Sequence, residues 1–145
     1  MADLIWLHEG ALRHAHPVFA MAAPDTPALF IWDRARFAAS HVGARRQLFI
    51  YETVAELELE IHDGDAAVLL PRLVAAHGAD RLLVPASPDP AVLKQLAAIW
   101  QAMPDVTVDI VADTPFVTLA NEPDLGRFFR YWNKARKSAL RPHGV

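Results

Sequence analysis

The 145-residue sequence contains no cysteine and only six glycines. The first absence excludes a disulfide scaffold, a thiolate metal site and a cysteine nucleophile. The second leaves no loop in which several backbone N–H groups close around a phosphate. Neither G-x-G-x-x-G nor G-x-x-x-x-G-K-[ST] occurs, which argues against a conventional dinucleotide or P-loop site. Long apolar runs are missing too. None approaches the ~20 residues of a membrane span, and the opening Met1-Ala2-Asp3-Leu4 lacks the basic stretch of a secretory signal. The expectation is a soluble, cytoplasmic protein without a membrane partner. Carboxylates are absent after Asp124. Residues 1–124 carry all 17 acidic groups against eight Lys and Arg, a net of −9, whereas Arg127, Arg130, Lys134, Arg136, Lys137 and Arg141 give the tail +6. That asymmetry points to a polyanion or acidic partner for the tail, or to an exposed basic helix face.

What is present fits one α/β domain spanning 1–145, with 124–145 as a basic aromatic helix and tail. A chain of this length buries about two thirds of its unfolded surface without staples. Short apolar runs alternate with segments of helical period, the pattern of a mainly parallel sheet. The expected strands are Leu4 to Leu7, Ala28 to Trp32, Leu57 to Ile61, Arg81 to Val84 and Val106 to Val111, with a further extended piece at Phe116 to Leu119. Leu57 to Ile61 alternates with period two but is equally rich in helix formers; the turn signal at 62–65 favours a strand. The expected helices run from Ala11 to Met21, interrupted by Pro17, and from Ser40, as N-cap, to Glu56. Others run from Ala66 to His77 with Gly78 at the C-cap, with Pro71 kinking it or marking a late start, and from about Leu125 to Ala139. The clearest helix follows Asp89-Pro90, an N-cap and a first-turn proline, with Val92, Leu93, Leu96, Ile99, Trp100 and Met103 on one face. The fold class is therefore α/β, a Rossmann-like open doubly wound sheet of about five parallel strands with helices on both faces.

In such sheets ligands sit beyond the carboxyl ends of the strands, where strand order reverses. The candidate crevice is lined by His8, Glu9, Gly10, Arg13, Asp33, Arg34, Ser87 and Asp89. Ser87 and Asp89 also read simply as a turn and a helix cap. His8, His14 and His16 lie close in sequence, but their spacing is not that of a helical zinc pair, so no metal site is assigned. Glu58 and Glu60 read as the solvated side of their strand. No nucleophile or acid–base pair is identifiable, and no catalytic residue is assigned. Phe128, Phe129, Arg130, Tyr131, Trp132 and Lys134 mix rings with cations. They form a candidate interaction surface for a protein partner or a second copy, and their composition is also one that holds nucleic-acid strands. Phe128, Trp132, Ala135 and Ala139 share one helical stripe, which favours docking of the rings against this domain or a partner.

Together these landmarks resemble the N-terminal α/β domain of the DNA photolyase and cryptochrome family. Leu4-Ile5-Trp6-Leu7-His8-Glu9-Gly10-Ala11-Leu12-Arg13 is similar to that family's W-F-R-x-D-L-R start, with one extra residue. Ala28 to Asp33 looks like its second strand, and Arg46 to Leu57 like its R-x-x-F-L-x-E-S-L-x-x-L helix. Gly64-Asp65 looks like the turn after its third strand, and Phe128-Phe129-Arg130-Tyr131 like its F-T-P-[FY] exit segment. The departures are specific. His8 replaces the first Arg, Ala11 the Asp, and His16-Pro17 an Asp-Asn pair, so the polar network of this loop must differ. Between Glu56 and Gly64 the chain is several residues shorter. The resemblance implies a domain that in relatives holds a folate or flavin antenna. The folate-contacting Asn-Glu pair aligns with Ala91-Val92, which implies that folate is not retained. The helical FAD domain is missing from the sequence, so this chain alone is expected neither to bind FAD as photolyases do nor to repair DNA. A non-catalytic binding or interaction module is the first functional expectation, with a separately encoded flavin domain as one conceivable partner. The alternative is a protein that binds a nucleotide or flavin in the crevice.

Overall fold

The computed structural model describes residues 2–140. The chain divides into two compact units, one up to Asp113 and the other from Thr114 onward. The first holds a five-stranded sheet made of β1 (Asp3–Leu7), β2 (Ala28–Trp32), β3 (Glu60–Asp63), β4 (Arg81–Pro85) and β5 (Thr107–Val111). Every pairing is parallel and the order is β3-β2-β1-β4-β5. The three inner strands read as nearly continuous apolar runs because both their faces are covered. The edge strands β3 and β5 carry more exposed and polar positions, as strands with one solvated side do.

Side-chain alternation splits the core into two layers. Leu4, Trp6, Leu29, Ile31, Leu82 and Val84 meet α4 (Ala66–Ala76) and α5 (Pro90–Ala102) on one face, through Leu70, Val74, Val92, Leu96 and Ile99. On the other face Ile5, Leu7 and Leu83 pack with Val18 of the short α1 (Pro17–Ala20), while Phe30 packs with Phe37 of α2 (Arg34–Ala39) and with Ile50 and Val54 of α3 (Ala44–Glu56). The fold is thus an α/β, Rossmann-like, all-parallel sheet with helices on both faces. The second unit contains α6 (Phe128–Ala139), against which the Ser138 hydroxyl fastens the extended segment by donating to the Thr118 carbonyl and accepting from its N–H.

Several local expectations are corrected. Pro17 starts a helix instead of interrupting one. Its fixed φ and missing N–H suit the first helical position, so the expected Ala11–Met21 helix becomes a 3-10 turn at Glu9–Ala11 followed by α1. Ser40 ends α2 and does not cap α3, whose N-cap is Gly43. The helix-forming content of Leu57-Glu58 prevails over its alternation. Leu57 closes α3 and Glu58 takes φ 55°, so β3 begins only at Glu60. α4 continues through Pro71. On α5, Leu93 and Trp100 lie outside the buried stripe. Phe116 to Leu119 forms no strand among the described residues.

Candidate functional site

The order β3-β2-β1-β4-β5 makes β1 and β4 the pair between which the chain reverses direction across the sheet. Their ladder registers only Asp3 with Arg81, Leu4 with Leu82 and Ile5 with Leu83. Beyond it the strand ends part, which is where a ligand crevice opens in folds of this kind. Here a side chain closes it. His8, which follows β1 and is buried, bonds through Nε2 to the carbonyl oxygen of Pro85 at 2.8 Å, and its Nδ1 accepts the Gly10 N–H at 3.2 Å. The ring thus ties the end of β1 to the end of β4 and to its own following turn.

Glu9 leaves the same strand end and meets Arg36 of α2 at 2.5 Å. Their side chains are only 11% and 10% exposed. The other terminal nitrogen of Arg36 reaches Asp89, the N-cap of α5, at 3.3 Å. Asp33 caps α2 by accepting the Arg36 N–H at 3.0 Å, and its second oxygen accepts from Gln95 Nε2 at 3.2 Å and from the Ala66 N–H at 3.4 Å. The network therefore joins the β1 loop, α2, α4 and α5. What remains among Trp6, His8, Glu9, Asp33, Arg36 and Gln95 is a void of about 10 Å³, room for about one water and far below the ~300 Å³ at which small-molecule sites begin. Beside it the Arg36 Nε is buried with no hydrogen-bond partner among the described residues.

Of the residues expected at the crevice, the structure brings together His8, Glu9, Asp33 and Asp89. Arg34 points elsewhere. It is largely exposed and forks onto Asp63 of β3 at 3.0–3.2 Å. The Ser87 hydroxyl accepts the Asp89 N–H at 3.1 Å, as a turn residue does. Gly10 and Arg13 line a neighbouring groove of about 250 Å³ together with Glu9, Leu12, Arg46, Phe49 and Thr53. Arg13 is paired there with Asp113. Sequence reasoning missed Arg36 and Gln95, and in the groove Arg46 and Phe49. Among the described residues no cluster of His, Asp and Glu has the makings of a metal site, and no helix is long and apolar enough to cross a membrane.

His16 is the other buried polar group of this loop. Its Nδ1 accepts the Val18 N–H at 3.0 Å and so caps α1. Burial is the main cause that holds its pKa below the ordinary value, aided by nearby Arg13 and His8 and opposed by Asp113. In the unfolded chain the same ring protonates near its ordinary value of about 6.5. The unfolded state therefore binds more protons below that pH, and the stability His16 confers is complete above about pH 6.5 and declines as the pH falls further. His16→Asn keeps a good cap and removes the titration. Urea midpoints at pH 7 and pH 5 should fall less on acidification for this variant than for the parent.

No family model and no curated protein matches the chain. Among solved structures it is similar to a bacterial class III photolyase from Agrobacterium tumefaciens, with 20% identity and a TM-score of 0.52 over 84% of this chain. The match covers 27% of that photolyase, so the chain spans little more than a quarter of its length. At this identity the likeness is one of fold, and the fold is photolyase-like.

Proposed function

We propose that the chain is a photolyase-type α/β domain serving as a non-catalytic interaction module, with α6 as its docking element, and that it does not itself repair DNA. The observation that carries this reading is the exposure of rings on α6. Phe128 and Phe129 are 65% and 73% exposed, among Arg130, Lys134, Arg136 and Lys137 and without one carboxylate on the helix. Large exposed rings of this kind mark interaction sites. The Phe128 and Trp132 rings stack at 6.1 Å with 10° between their planes, which presents a flat apolar surface. The filled crevice supports the same reading, because the place where this fold takes a ligand is occupied by Glu9 and Arg36. Phe128→Ala with Phe129→Ala should change the association state of the purified chain, read as its mass by light scattering. Unchanged mass at every concentration would refute the reading. Because both rings are exposed, the fold should survive the double change.

A second reading rests on the 250 Å³ groove, where Arg46, Phe49 and Thr53 face the Gly10 to Arg13 loop. The Arg46 guanidinium beside the Phe49 ring is chemistry for a small planar anion. If that reading holds, saturating FMN or ATP should raise the melting temperature, and Arg46→Ala should abolish the rise. No rise with either compound would count against it.

A further inference from the structure

α3 has an outward face that neither the sheet nor the crevice uses. Its inward side is fixed by the buried Ile50 and Val54. At 100° per residue, Leu48, Phe49, Glu52 and Glu56 lie away from that side, and all four are exposed. Glu52 and Glu56 make no hydrogen bond or ion pair with any described residue. The face thus offers the exposed Arg45 at its start, then two large apolar side chains and, one and two turns beyond them, two unpaired carboxylates.

α6 carries the complementary pattern. Phe129, Asn133, Arg136, Lys137 and Leu140 recur at the spacing of one helical stripe, and every one is exposed. Apolar groups stand at its two ends and a pair of cations stands within it. One turn is about 6 Å on either helix, so in an antiparallel pairing Leu140 faces Leu48 and the Arg136–Lys137 pair faces Glu52, while Asn133 stands opposite Glu56. Resting on the reading that α6 docks, we infer that its partner is the outward face of α3 on a second copy of this chain. A polyanion fits less well, because the net −9 of residues 1–124 repels it, whereas a second copy meets +6 with −9. The two surfaces differ, so reciprocal exchange closes a dimer and one-way exchange builds an open chain.

The test is charge reversal, read by sedimentation velocity of the full chain at low salt over a dilution series. The parent should associate, and added salt should disperse it. Glu52→Lys with Glu56→Lys, and separately Arg136→Glu with Lys137→Glu, should each give a monomer. Mixed in equal amounts, the two variants should associate again, because each α3 then meets an α6 of opposite sign. A parent that is monomeric throughout overturns the inference, as does association that both reversals leave unchanged. If Phe128→Ala with Phe129→Ala disperses the parent while the α3 reversal does not, α6 docks elsewhere: the inference falls and the reading of α6 stands. If neither set of changes alters the mass, both fall.

Discussion

Glu9→Gln should lower the stability of the folded chain by about 3–5 kcal/mol, the cost of removing one partner from a buried ion pair and leaving the other charge behind. The geometry supports the upper part of that range. Arg36 is nine-tenths buried and its Nε already has no hydrogen-bond partner. Its remaining counter-ion, Asp89, lies at 3.3 Å and is half exposed. The loss is large against the ~5–15 kcal/mol that holds a typical domain together. Urea unfolding should show it as a lower midpoint with an unchanged slope. Glu9→Met combined with Arg36→Met removes both charges and should recover most of the loss, since apolar groups of similar volume commonly replace buried pairs at little cost. If Glu9→Gln costs less than about 1 kcal/mol, the behaviour of an exposed pair, the crevice is open to water and the closed network described above is wrong.

Leu82→Ala should cost a similar amount, about 3–5 kcal/mol, by a different mechanism. Leu82 lies on β4, fully buried, in the layer formed with Leu4, Leu70 and Ile99. Truncation loses its burial and leaves a cavity that the tightly hydrogen-bonded inner strands cannot relax to fill. Leu82→Met, which nearly conserves volume, should cost less than about 1.5 kcal/mol. Leu93 supplies the contrast. It belongs to the apolar stripe that the sequence draws along α5, yet it is 51% exposed, and Leu93→Ala should cost only about 1 kcal/mol or less. Comparing the three urea midpoints separates apolar residues that build the core from those that merely share its period.

The inner strands were legible because parallel strands covered on both faces must be apolar throughout, as Leu4 to Leu7, Ala28 to Trp32 and Arg81 to Val84 are. The edge strand β3 was misplaced by three residues at its start. It has no such requirement, and Leu57 satisfies the core equally well as the C-cap of α3. At the crevice, His8, Glu9, Asp33 and Asp89 could be anticipated because each lies within two residues of a strand end or caps a helix. Arg36 could not, since α2 is only six residues long and no element was expected between the second strand and Ser40. Once Asp33 is seen to be a cap, the geometry follows. Arg34 and Arg36 are two apart on a helix and hence on opposite sides, so one turns to Asp63 and the other to Glu9. The cap, with a cation three residues later, was the available signal.

The central position of β1 has a consequence during synthesis. Its partner on one side, β2, follows within about twenty-five residues, but its partner on the other, β4, does not exist until residue 81; the Asp3–Arg81 fork spans 78 positions. At translation rates of about 5–20 residues per second, that is roughly 4–16 s during which the apolar edge Leu4 to Leu7 stands unpaired. An incomplete chain holding β1 to β3 offers that edge to any other strand nearby. The nascent domain should therefore be most prone to aggregate just before Arg81 emerges from the ribosome, and a translational pause before that emergence should aggravate it while a pause after it should not.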